Sequence, residues 1–215
     1  MHVADPSRRN PSWLRNAHNQ EVNSQRDWTQ IPPDLPVPVD DGAADHLLGS
    51  EIPPIRLRST SGQTVDISDL AAARCVLFLY PRMGRPGEEL PPGWDAIPGA
   101  RGCTPQSCGF RDRHRGFKDA GYEVAGVSSQ SAEDQAEAVA RLNLPFDLLS
   151  DPDLTLAEAL SLPTFEIPGM RLYKRLTMVA EEGKVRKIFY PIFPPQHNAE
   201  EVLSWLRSSR VDRNS

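Results

Sequence analysis

Hydrophobic positions along the chain fall into two periods. "RCVLFLYP" (residues 74–81) is apolar from Cys75 to Tyr80 and ends at Pro81, the pattern of a strand buried on both faces. "YEVAGVSS" (122–129) repeats it, and "FDLLSDP" (146–152) gives a shorter version. "IRLRSTSGQTVDISDL" (55–70) alternates apolar and polar residues around Ser61 and Gly62, which predicts a hairpin. "LYKRLTMVAEEGKVRKIFYP" (172–191) predicts a second hairpin, turning at Glu182 and Gly183. Between the strands the period lengthens to that of a helix. "TPQSCGFRDRHRGFKDAG" (104–121) has Thr104 as a cap, Pro105 in its first turn and Gly121 past its end. "SAEDQAEAVARLNL" (131–144) opens at Ser131, "LTLAEALSL" (154–162) is a third helix, and "NAEEVLSWLRSS" (198–209) is amphipathic with Asn198 as its cap. Strands alternating with helices, then a hairpin and a last helix, predict an α/β domain: a mixed central sheet with helices on both faces. Ligands of such sheets gather beyond the carboxyl ends of the strands.

The rest of the chain lacks either period. Residues 1–33 are polar and irregular, and are expected to be a disordered extension of a domain covering 34–215. "IPPDLPVPVDDGAADHLLGSEIPPI" (31–55) is rich in proline and acid, and reads from about Asp34 as a lead-in hugging the domain surface. A second Pro/Gly-rich loop, "RMGRPGEELPPGWDAIPGARG", fills residues 82–102. A length of 215 residues suits one substantial domain plus an extension, and 39% hydrophobic with 25% charged residues suits a soluble globular chain. The net charge of −5 gives no electrostatic reason to expect nucleic acid or an anionic membrane as partner. No apolar run approaches the roughly 18 residues of a membrane span, and the first twenty residues lack the apolar core of a secretory signal. Three cysteines, an odd number, do not form a secreted disulfide framework. A reducing cytoplasm is the expected setting, where a cysteine pair more often means chemistry or metal than stapling.

Two of those cysteines, in "GARGCTPQSCGFRD" (99–112), stand five positions apart at the start of the longest predicted helix. Unpaired amides and the positive end of the helix dipole collect there, so a thiolate at Cys103 is favoured. Arg101 and Arg111 are candidates to add positive charge. Five helical residues rise about 7.5 Å and turn about 140°, leaving the two Cα atoms roughly 8 to 9 Å apart. A disulfide needs them within about 7 Å, so the pair bonds only when the first turn unwinds. From spacing alone such a pair is more often ordinary than catalytic. Metal is disfavoured, since no second pair or histidine cluster supplies the ligands zinc takes. His114 reads as a helix-surface residue, and Cys75, inside its strand, as a buried apolar one.

"VLFLYP", "GCTPQSCGFRD", "YEVAGVSSQS", "FDLLSDP" and "KRLTM", in that order, resemble the peroxiredoxins, most closely the Q-type or bacterioferritin-comigratory branch. The resemblance runs from about residue 47 to 207, and "GCT…CGFRD" is its most specific part. It implies a thioredoxin-like fold and the reduction of hydrogen peroxide and organic hydroperoxides without a cofactor. By position Cys103 resembles the peroxidatic cysteine, Cys108 the resolving cysteine and Arg175 the strand-borne active-site arginine. The implied cycle passes through a sulfenic acid and an intramolecular disulfide that a thioredoxin-like dithiol reduces, in a monomer or weak homodimer. Two features depart from the family's Pro-x-x-x-Thr-x-x-Cys motif. Ala100 stands where the threonine is expected, and Pro81 lies 22 positions before Cys103, separated from it by an insertion over about residues 83–98. Trp94 or Asp95 of that insertion either closes over the pocket or lies with it on the surface. A peroxide sensor with little turnover is the alternative. A thioredoxin-like disulfide reductase is disfavoured by the absence of Cys-x-x-Cys.

Overall fold

A computed structural model describes residues 31–212, so the expectation for the N-terminal extension falls almost wholly outside the described residues. The strands are β1 Arg56–Ser59, β2 Thr64–Asp66, β3 Arg74–Leu79, β4 Glu123–Ser128, β5 Leu148–Ser150, β6 Thr164–Ile167, β7 Met170–Tyr173, β8 Leu176–Glu181 and β9 Lys184–Phe189. The helices are α1 Ile67–Ala72, α2 Cys103–Ala120, α3 Ala132–Leu142, α4 Thr155–Leu160 and α5 Asn198–Asp212. Seven strands form one sheet in the order β2-β1-β5-β4-β3-β8-β9, while β6 and β7 make a separate two-stranded sheet. β3 runs parallel to β4 and β4 to β5, and β8 is antiparallel to β3, so the sheet is mixed.

Side-chain alternation along β3 divides the core. Val76 and Phe78 face one apolar cluster, where Phe110 and Phe117 of α2, Ala138 and Leu142 of α3, and Val202 and Leu206 of α5 are buried. Cys75, Leu77 and Leu79 face the other, with Ile67 and Ala71 of α1 and Leu156 and Leu160 of α4. Burying each large side chain of these sets is worth about 1.5–3 kcal/mol, which is what fixes the helices to the two faces. Phe78 stacks on Phe110 with ring centroids 4.5 Å apart, clamping the first half of α2 over the end of β3. A third cluster is formed by Trp94, Ala100, Ile167 and Leu172, joining the inserted loop to the small β6–β7 sheet.

Several local expectations are corrected. The segment after the first hairpin leaves β2 at Asp66 and turns into α1, because the Asp66 carboxylate caps the helix by accepting from the Ser68 amide. The β6–β7 hairpin went unpredicted, since "TFEIPGMRLY" mixes polar and apolar residues without a clean period. Thr104 does not cap α2. The N-cap is Gly102 at φ +99°, and Thr104 lies buried inside the first turn. Asn198 does not cap α5 either: it has helical angles and continues a short 3₁₀ turn, Pro195–His197. Its side chain points into the protein instead. Ser131 does cap α3, its hydroxyl accepting from the Asp134 amide, and Gly121 ends α2 in the left-handed conformation. The lead-in is pinned rather than loose: Ala44 and Leu47 are buried, and the Gly49 and Ile52 amides donate to the Val185 and Gly183 carbonyls. No helix of the described residues is long and apolar enough to cross a membrane.

Candidate active site

The site arises from register. Leu79, the last residue of β3, pairs with Leu176, the first of the antiparallel β8. Arg175 therefore stands at the carboxyl end of β3, one residue before β8 rather than within it. The inserted loop leaves that same end and returns to start α2 at Cys103. Gly102 makes the close turn possible. Its φ of +99° is strained for any other residue, and a Cβ there would lie 2.3 Å from Pro195 Cγ.

Cys103, Cys108 and Arg175, the three predicted site residues, lie at the head of α2 and beside it. Arg175 Nη2 donates to Cys103 Sγ at 3.2 Å, and the two residues are each 3% exposed. The guanidinium is held by a ring of acceptors. Nη2 also reaches the carbonyls of Gly99 (3.2 Å), Ala100 (3.4 Å) and Arg101 (3.0 Å), and Nη1 donates to Gln106 Oε1. The Cys103 thiol contacts the Ala100 carbonyl at 3.7 Å. Cys108 lies in the same helix, half-buried; burial pushes its thiol up, and Arg111 partly offsets that. Both cysteines are free thiols, as is Cys75.

Sequence reasoning missed the residue that orients the arginine. Gln106, one helical turn after Cys103, is fully buried; it accepts from Arg175 and donates to Asn198 Oδ1 at 3.1 Å. The same Asn198 oxygen accepts from Thr177 Oγ1 at 2.8 Å. A polar side chain at i+3 from a candidate nucleophile, on the face a helix must bury, was the available signal. The other expected cations are placed differently. Arg101 is 4% exposed and pairs with Asp95 at 3.1 Å, while Arg111 pairs with Asp112 and donates to the Leu142 carbonyl. His114 is half-buried on the helix surface, its ring beside that of Phe146. Burial pushes the Cys75 thiol up to about 12, which fits an inert core residue.

Part of the expected insertion packs inward. Trp94 is 1% exposed and packs with Ala100, the position without the expected hydroxyl. Pro81 is buried, its carbonyl accepting from Ser128 Oγ at 3.0 Å, and Met83 beyond it shares the apolar cluster of Cys103. Beside Arg175 and Gly99 opens a cavity of about 300 Å³ walled by Pro38, Val39, Ile97, Phe165, Tyr190 and Ile192.

A cysteine at a helix N-terminus, hydrogen-bonded to a buried arginine at the carboxyl edge of a mixed sheet, fits a thiol-based redox site. Residues 47–203 match the family described as Redoxin. Over 163 residues the chain is 31% identical to "Peroxiredoxin Q, chloroplastic" of Sedum lineare, covering 74% of this chain and 77% of that one. It is 30% identical over 159 residues to "Peroxiredoxin Bcp" of Bacillus subtilis, covering 72% and 92%. The solved structure of Peroxidoxin BcpB from Mycobacterium tuberculosis superposes with a TM-score of 0.61 at 25% identity, over 75% of this chain and 96% of that one. Peroxiredoxin Q of Xanthomonas campestris, at 21% identity and a TM-score of 0.57 over 81% and 98%, shares the fold. The chain belongs to the redoxin family, as a Q-type peroxiredoxin with a thioredoxin-like fold.

Proposed function

We propose that this peroxiredoxin is a dithiol-recycled peroxidase in which Cys103 is the nucleophile, Cys108 the resolving thiol and Arg175 the electrostatic partner of the reacting atoms. The observation that carries this reading is the 3.2 Å contact between Arg175 Nη2 and Cys103 Sγ at a helix N-terminus. The Cys103 thiolate attacks one oxygen of a hydroperoxide, the O–O bond breaks, and the other oxygen leaves as water or alcohol after taking a proton. Sulfur is oxidised to a sulfenic acid and the peroxide is reduced. Arg175 and the first amides of α2 stabilise the negative charge on sulfur and on the leaving oxygen. With the first turn of α2 unwound, the Cys108 thiolate attacks the sulfenic sulfur; an S–S bond forms, and hydroxide leaves and is protonated to water. A dithiol of the thioredoxin class returns two electrons by exchange. The apolar walls of the cavity beside Arg175 support organic hydroperoxides as substrates alongside hydrogen peroxide.

The test is NADPH consumption with thioredoxin, thioredoxin reductase and each peroxide. Multiple turnovers are expected from the wild type and from Cys75→Ser, and none from Cys103→Ser. One stoichiometric oxidation without turnover would favour a peroxide sensor instead, the reading that the missing hydroxyl at Ala100 supports.

A further inference from the structure

The guanidinium of Arg175 is aimed by three consecutive carbonyls, those of Gly99, Ala100 and Arg101, which accept from Nη2 at 3.2, 3.4 and 3.0 Å. Those carbonyls belong to a loop, and a loop holds such a position only when its side chains are tied down. The inserted segment supplies the ties. The Arg101 side chain, 3% exposed, pairs with Asp95 Oδ1 at 3.1 Å, while the Asp95 side chain is 38% exposed. The Ala100 methyl packs in one cluster with Trp94. Short turns run through the backbone between them: the Ile97 amide donates to the Trp94 carbonyl at 3.2 Å, and the Ala100 amide to the Ile97 carbonyl at 3.1 Å. Insertion, carbonyl row, guanidinium and sulfur thus form one connected chain of contacts.

We propose that Asp95, through its ion pair with Arg101 and together with the Trp94 packing, is a positioning residue: it sets where Arg175 meets Cys103 Sγ. The inference rests on the peroxidase reading of the site. Its physical basis is the steep loss of hydrogen-bond strength with angle and distance. Without Asp95 the buried Arg101 guanidinium loses the carboxylate beside it, the loop relaxes toward water, and the carbonyl row that orients Nη2 moves with it. A charge-stabilising group displaced by about 1 Å costs up to about a hundredfold in rate. Asp95 touches no reacting atom, so its effect on the chemistry passes through Arg175.

The test follows the loss of the free Cys103 thiol in a single turnover with hydrogen peroxide, by quenching and mass spectrometry. It compares wild type, Asp95→Ala, Asp95→Glu, Arg101→Met, Arg175→Met and the double variant Asp95→Ala/Arg175→Met, with thermal melting of each. Asp95→Ala and Arg101→Met should slow oxidation by about tenfold or more. Asp95→Glu should recover most of the rate, with melting temperatures close to wild type. In the Arg175→Met background, adding Asp95→Ala should change the rate by less than about twofold, because the coupled partner is already gone. Should Asp95→Ala melt early, the isosteric Asp95→Asn takes its place in the same cycle. An Asp95 variant as fast as wild type, or an equal loss in both backgrounds, overturns the positioning role and leaves the peroxidase reading intact. A wild-type Cys103 oxidised no faster than free cysteine overturns the peroxidase reading itself.

Discussion

Arg175 is 3% exposed, and its guanidinium bridges the Cys103 sulfur and Gln106. Burying an arginine without a carboxylate among its hydrogen-bond partners is costly, and carbonyl and amide oxygens compensate it here. That leaves its positive charge available to sulfur rather than neutralised. Arg175→Met should therefore lower the rate constant for peroxide reduction by about a hundredfold or more, with little change in thermal stability, as read by stopped-flow oxidation and melting curves. An unchanged rate would mean that the charge needed by the sulfur comes from elsewhere. Cys103 stood out in the sequence because it precedes a predicted helix start, whereas Cys108 and Arg175 were singled out through the resemblance to the peroxiredoxins. Gln106 and Asn198 were not, because their roles depend on what crosses in space: Gln106 from α2 and Thr177 from β8 meet on the same Asn198 oxygen.

At the scale of elements, α2 has two jobs that pull against each other. It holds Cys103 at its N-terminus and Cys108 in its second turn, so a disulfide between them requires that stretch to leave the helical conformation. Gly109 lowers local helix stability by about 1 kcal/mol relative to alanine. It is also a close-packing site, since a Cβ there would come within 3.0 Å of the Gln196 carbonyl. Oxidised protein should show faster amide exchange over residues 103–112 than reduced protein, with the rest of α2 protected; equal exchange in both states would speak against unwinding. Further along α2, burial and the nearby Lys118 push His114 below its ordinary value of 6.5, against an opposing pull from Glu123. Protonating His114 is therefore harder in the folded than in the unfolded chain. Its contribution to stability is whole above pH 6.5 and is lost as pH falls through that value toward the folded one. Denaturant midpoints should fall between pH 7 and 5 by less in His114→Gln than in wild type. The positions of α2 to α5 were legible from period and from Gly121, whereas α1 was hidden in the stretch read as a hairpin. The caps were misread at Thr104 and Asn198 because a side chain able to cap was assumed to do so, whereas tertiary packing drew both inward.

Across the whole molecule, the mixed sheet and the layers on its two faces were legible from the apolar runs, because a strand buried on both faces has to lie between helices. The β6–β7 sheet and the inward packing of Trp94 were not, since they depend on contacts between segments distant in sequence, such as Trp94 with Phe165 at 6.1 Å between ring centroids. Asp151 is another such hub. Its carboxylate, 1% exposed, accepts from the Thr155 and Leu156 amides, the Thr155 hydroxyl and the Tyr173 hydroxyl, tying the end of β5 to α4 and β7. Asp151→Ala should cost about 3 kcal/mol in urea unfolding, since it strands several buried donors at once; a loss under about 0.5 kcal/mol would mean the hub is redundant. In the proposed cycle peroxide oxidises Cys103, and Cys108 of the same chain takes up the oxidation. Peptide mapping by mass spectrometry, after one equivalent of hydrogen peroxide and without added reductant, tests it most directly. The expected product is a monomer carrying one disulfide between Cys103 and Cys108 with Cys75 free; covalent dimers with Cys108 still reduced, or oxidation centred on Cys75, would rule the cycle out.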